Sequence, residues 1–170
     1  MSEQQLRLRA EDDEDLRIIA AVLQDSLVGM GEMDYVAKDH CFALVANRFR
    51  WENCDLADNG TSAEPTIQQA AVTEPVEDPA FLPCHSYERV NCGVRFDGVE
   101  HVRCKGIDRH DRGRILELLT IDVESNAVTL VFAGGAAVRL EGHSITCHLH
   151  DLGEPWPTTF RPQHPVADSA

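Results

Sequence analysis

The chain has 170 residues, 43% hydrophobic and 26% charged, with a formal net charge of −14. That length suits one domain with a substantial core, and so negative a field excludes general binding to nucleic acid or to anionic membrane surfaces. The longest strictly apolar run, Ile18 to Leu23, is far short of the roughly 20 residues that cross a bilayer.

The opening "MSEQQLRLRAEDDED" is too polar for a secretory signal peptide. A cytoplasmic location is therefore expected, with the six cysteines reduced. Their irregular spacing resembles no disulfide framework. Leu6 and Leu8 alternate with Arg7 and Arg9, which predicts a short edge strand. A helix is predicted at about 12–24, capped by Asp12 with Asp15 completing an imperfect capping box. Its acidic first turn suits the positive end of the helix dipole. Leu16, Ile19, Ala20, Leu23 and Leu27 recur at helical spacing, with Ile18 and Val22 widening the stripe.

Beyond the helix the period becomes two. Residues 26–37 and 40–51 read as paired strands turning at Lys38-Asp39. Cys41, Ala43, Val45, Asn47, Phe49 and Trp51 would share one face of the second strand, and Phe42, Leu44, Ala46, Arg48, Arg50 and Glu52 the other. The expectation is that Phe49 and Trp51 stay buried while Arg48 and Arg50 emerge into solvent. Residues 53–86 carry six acidic groups, four prolines and no Lys or Arg, which predicts a disordered insertion. Strands resume at 88–96, 99–106, 115–123, 127–132, 136–141 and 144–150. Turns are expected at Ser125-Asn126 and Gly134-Gly135. The tail 151–170 holds four prolines and reads as extended, with Trp156 as an anchor. The pattern predicts a single α+β domain: a mostly antiparallel β roll or partly open barrel with one N-terminal helix.

The densest polar cluster is "HVRCKGIDRHDRGR", His101 to Arg114. Arg103, Lys105, Arg109, Arg112 and Arg114 make a third of the chain's 15 basic residues, opposed locally by Asp108 and Asp111 alone. Guanidinium forks suit phosphate and carboxylate, so the cluster is a candidate site for an anionic metabolite or an acidic protein partner, and Arg48 and Arg50 would extend it if their strand lies alongside. The alternative is a solvated loop whose arginines pair with nearby carboxylates. A weaker candidate is a metal or acid/base site on His148 and His150, which share a strand face, with His143, His101, His110 or Asp151 as a third ligand. Paired zinc-type spacings are absent, and Cys147 reads as a core thiol. A nucleophile elbow and a phosphate-cradling glycine loop are also absent. Gly29-x-Gly31 reads as a flexible point in a strand, and no cofactor is expected.

The stretches "AEDDEDLRIIAAVLQDS", "NRFRWE", "LELLTIDV", "VTLVFAGGAAVRLE" and "DLGEPWPTTFRPQHP" together resemble an alphaproteobacterial family known as Domain of Unknown Function 2948. The resemblance spans nearly the whole chain outside 53–86. It implies no reaction and transfers no catalytic residue. The sequence thus points to a non-catalytic binding or adaptor protein with an arginine-rich surface.

Overall fold

The structure, a computed structural model, describes residues 5–53 and 87–162. In chain order its elements are β1 (Arg7–Ala10), α1 (Asp13–Leu23), β2 (Ser26–Val36), β3 (Cys41–Phe49), β4 (Tyr87–Asp97), β5 (His101–Lys105), β6 (Ile115–Glu124), β7 (Ala127–Phe132), β8 (Ala137–Glu141) and β9 (Thr146–Thr158). The strands form one antiparallel sheet in the order β1-β9-β4-β3-β2-β6-β7-β8-β5. This is the expected α+β, mostly antiparallel architecture, rolled into a barrel that does not close. The disordered insertion expected at 53–86 lies, apart from Asn53, outside the described residues.

The helix forms where its cap and stripe require it. The Asp12 carboxylate accepts from the Asp15 amide at 2.9 Å, satisfying an amide that the first turn leaves without a partner. Leu16, Ile19 and Leu23 are buried against the sheet, where α1 packs on β6, β1 and β3. Each such side chain contributes roughly 1.5–3 kcal/mol of transfer free energy. The stripe is narrower than expected: Ile18 is 56% exposed, and Leu27 lies in β2 with 37% exposure. The chain leaves the helix at Gln24, so helical spacing stops applying to Leu27 before that residue is reached.

β2 is the hinge of the roll. Its first half, Ser26 to Gly29, pairs with β6, while Met33 to Val36 pairs only with β3 beyond a register shift. Between them the amides of Met30 and Gly31 donate to the carbonyls of Arg114 and Arg112 at 2.9 and 3.1 Å. Gly31 eases this approach, since a Cβ there would stand a tight 3.3 Å from the Arg112 carbonyl oxygen.

The connection 98–100 sets the curl. β4 and β5 are joined by these few residues yet sit six places apart in the strand order, so the β5 edge must bend back toward β4. Gly98, at φ +81°, touches the Ser144 carbonyl where no side chain would fit. The Tyr35 hydroxyl donates to the Val99 and Glu100 carbonyls at 3.1 and 2.8 Å, which pins the end of β2 to the same connection. The core fills the inside of this curl with Phe42, Leu44, Val94, Phe96, Leu118, Leu130 and Leu140, all nearly inaccessible.

The C-terminal part also differs from expectation. Residues 151–158 continue β9 along β4, with Arg89 opposite Trp156 and Glu88 opposite Pro157. β1 has already ended at the level of His150, so among the described residues this part of β9 borders a single strand. Pro155 and Pro157 therefore deprive no second neighbour of a ladder bond. Trp156 is 37% exposed and does not bury itself as an anchor.

Candidate functional site

The loop 107–114 lies against the gap between β5 and the second half of β2. Asp108 accepts from the His110 amide at 2.9 Å, and backbone bonds from Asp111 to Asp108 and from Arg114 to Asp111 tighten two successive turns. The Asp108 carboxylate thus shapes the loop, and neither Asp108 nor Asp111 forms an ion pair with its arginines among the described residues. Together with the Met30 and Gly31 bonds, these turns hold the loop over a cleft of about 350 Å³. Met30, Met33, Phe42, Val102, Ile107 and Val138 give the cleft an apolar lining; Arg109 and Arg112 stand on it as cations, with Asp34, Tyr35 and Cys104 completing the wall. That volume lies at the lower end of small-molecule sites, and an apolar lining with a few polar groups is their usual make-up.

The sequence cluster divides in space. Val102 and Cys104 of β5 line the cleft, so the alternation of a strand directs Arg103 and Lys105 away from it. Arg103 is held outside by Glu141 at 3.2 Å. Arg114 lies beside the turn 133–135, its guanidinium 4.0 Å from where a Gly134 Cβ would stand. Arg109 and Arg112 alone of the five reach the cleft.

Arg48 is the main correction to the expected surface. It is fully buried, on the same face of β3 as the core residues Phe42, Leu44 and Ala46. Its Nε and Nη2 donate to Asp151 at 2.8 Å each, and its Nη1 and Nη2 donate to Glu52 at 3.1 and 2.8 Å. Asp151 also accepts from the Leu6 amide at 3.0 Å, so one carboxylate joins β3, β9 and the approach to β1. Burial alone would lower the Arg48 pKa, but hydrogen bonds to Asp151 and Glu52 outweigh it and the net direction is upward. Burial opposes ionisation of Glu52 as well, yet the Arg48 hydrogen bonds carry its carboxyl below the usual 4.5. Arg50 pairs with Glu88 at 2.7 Å. Arg48 also lies six residues beyond the cleft residue Phe42 along β3, about 20 Å at the rise of a strand. The two arginine groups do not converge.

Phe49 is buried as expected, but by local cover. Its ring centroid is 4.6 Å from Trp51 and 5.6 Å from Tyr87, and the Arg89 guanidinium lies 5.8 Å away. Trp51 is half-buried and begins a 3₁₀ turn, not a further strand residue; its indole donates to the Gln24 carbonyl at 3.2 Å.

His148 and His150 share the outer face of β9, where their cross-strand neighbours are cationic. His148 lies between Arg9 and Arg95, and His150 opposite Arg7, whose Nε donates to His150 Nε2 at 3.0 Å. That bond occupies one of the two ring nitrogens a metal could use; His148 Nε2 lies 3.9 Å from Asp97 Oδ2, while Arg7, Arg9 and Arg95 alongside repel a cation. Among the described residues no group of three or more His, Cys, Asp or Glu is close enough to hold a metal ion. Cys147 points into the core as expected. Burial pushes the Cys92 thiol up to about 12, and the Cys147 thiol also upward, so both are poor nucleophiles at neutral pH.

Sequence reasoning missed the apolar half of the cleft. Met30, Met33 and Val102 belong to strands that read as ordinary core, and only the curl between β2 and β5 turns them toward a shared opening. No helix among the described residues is long and apolar enough to cross a membrane. Neither the curated proteins nor the solved structures contain a match to the chain. A family model described as a protein of unknown function, DUF2948, matches residues 6–164, nearly the whole chain, and the protein therefore belongs to the DUF2948 family.

Proposed function

We propose that the protein is a non-catalytic cytoplasmic binding protein that takes an anionic ligand at Arg109 and Arg112. One observation carries this reading. Arg9, Arg48, Arg50, Arg95, Arg103 and Arg139 each hold a carboxylate; Arg7, Arg17, Arg89, Arg114, Arg109 and Arg112 hold none among the described residues, and of these Arg109 and Arg112 stand together on the wall of this cleft. In a chain of charge −14, two cations left without a carboxylate on the wall of a cleft favour an anion from outside.

The chemistry of the wall suits binding. Guanidinium groups stay protonated and donate without transferring a proton. The Tyr35 hydroxyl is committed to two backbone carbonyls. The described cysteines, Cys41, Cys92, Cys104 and Cys147, are free thiols, which fits a reducing compartment. Titration with inorganic phosphate, followed by the amide NMR signals of Gly31 and Arg112, tests the proposal. Saturable shifts that vanish in the Arg109→Ala/Arg112→Ala protein are expected. Equal shifts in the variant would overturn it.

A further inference from the structure

The cleft has two chemically distinct parts, and the ligand that matches both can be stated by class. We infer that it takes an amphipathic monoanion, with a single anionic head at Arg109 and Arg112 and an aliphatic body lying against the apolar lining; this rests on the anion-binding reading above. Met30, Met33, Val102 and Ile107 are only partly buried although the core packs behind them. Each therefore keeps apolar surface that a second apolar body can remove from water.

The size agrees with a small ligand. About 350 Å³ of space admits a medium-length chain or a single ring system and is too small for a folded partner. The charge pattern sets the head group. Arg109 and Arg112 attract an anion, while Asp34 on the same wall repels a second negative group placed elsewhere on the ligand. The Asp34 Oδ1 accepts from the Tyr35 amide at 2.9 Å, which orients this carboxylate on the wall. The lining is adaptable in shape, since two of its residues are unbranched thioethers with several rotatable bonds. These features select for amphiphiles with one charge over both polyanions and neutral oils.

Octanoate, acetate, 1-octanol and octylammonium are the probes, each titrated into the full chain. Binding is read by NMR shifts and by protection of Cys104 from alkylation, located by peptide mapping. Cys104 is exposed and lines the cleft, so its protection reports occupancy of this place. Octanoate should bind at least about tenfold more tightly than acetate or octanol, protect Cys104, and lose most of that affinity in Arg109→Ala/Arg112→Ala. A Cys104→Trp protein, which fills the opening, should weaken octanoate without abolishing phosphate binding. If acetate and phosphate bind through the arginines but octanoate gains nothing over acetate, the amphipathic inference fails and the anion reading stands. If octanol or octylammonium binds as well as octanoate, the amphipathic inference fails and the phosphate titration decides the anion reading; if no anion binds, both fail.

Discussion

The far end of β3 and the loop over β5 carry the same residue type in opposite states. At Arg48 every guanidinium nitrogen is taken up by Asp151 or Glu52, and the side chain is fully buried. At Arg109 and Arg112 the side chains are exposed on a cleft, and no carboxylate among the described residues pairs with them, although Asp34 lines the same cleft. The difference lies in which groups the fold brings within reach. Asp151 is 103 residues from Arg48 in sequence and adjacent in space, whereas Asp108, beside Arg109, spends its carboxylate on a turn amide. An arginine cluster in a sequence is therefore two possible things, a structural clamp or an open site, and the location of acceptors decides between them.

That contrast predicts very different responses to substitution. The largest effect belongs to Arg48→Ala, which strands Asp151 buried without its cation. A loss of about 3–5 kcal/mol is expected, measured by urea denaturation. Replacing both partners, as Arg48→Met/Asp151→Leu, should recover most of it, because the buried charge is then removed rather than orphaned. A double variant as unstable as Arg48→Ala would show that the clamp contributes more than mutual neutralisation.

A smaller effect is expected at Glu52, whose side chain is 42% exposed. Glu52→Gln should cost no more than about 1 kcal/mol at neutral pH, since solvent screens much of the pairing. Its folded pKa is depressed, so its stabilising contribution is complete above the ordinary value of 4.5 and is lost as pH falls through the lower, folded value. The stability gap between wild type and Glu52→Gln should therefore close on acidification below that window. A gap that widens there would contradict the assigned sign.

The cleft arginines should hardly register in stability. Arg109→Ala/Arg112→Ala is expected within about 0.5 kcal/mol of wild type, while phosphate binding disappears. Ionic strength gives the smallest contrast. Raising salt to about 1 M shortens the Debye length to about 3 Å and should weaken anion binding at the exposed pair. The pairing of Arg48 with Asp151, shielded from ions, should be nearly unchanged, as read from the stability difference between wild type and Arg48→Ala.

Much of the architecture was legible because it depends on local rules. The Asp12 cap, the Leu16-Ile19-Leu23 stripe, the edge strand before the helix and the turns at Ser125-Asn126 and Gly134-Gly135 all appear close to where residue chemistry puts them. The orientation of Arg48 was not legible. From Cys41 to Ala46 both faces of β3 are apolar, so alternation gives the spacing of the faces without saying which one is the core. β9 was read too short because its prolines suggest an end to pairing; they are harmless because, among the described residues, no second strand flanks β9 beyond His150. Arg109 and Arg112 were recognised as candidates, but Met30, Met33 and Val102 could not be joined to them.

By itself, then, the sequence determined the element types, the helix ends, most strand limits and the concentration of cations near residue 109, all properties set by neighbours a few positions apart. The tertiary structure decided which cations are neutralised inside and which face an opening. Those outcomes depend on Asp151 meeting Arg48 and on β5 curling back toward β2, long-range encounters whose partners no local periodicity identifies.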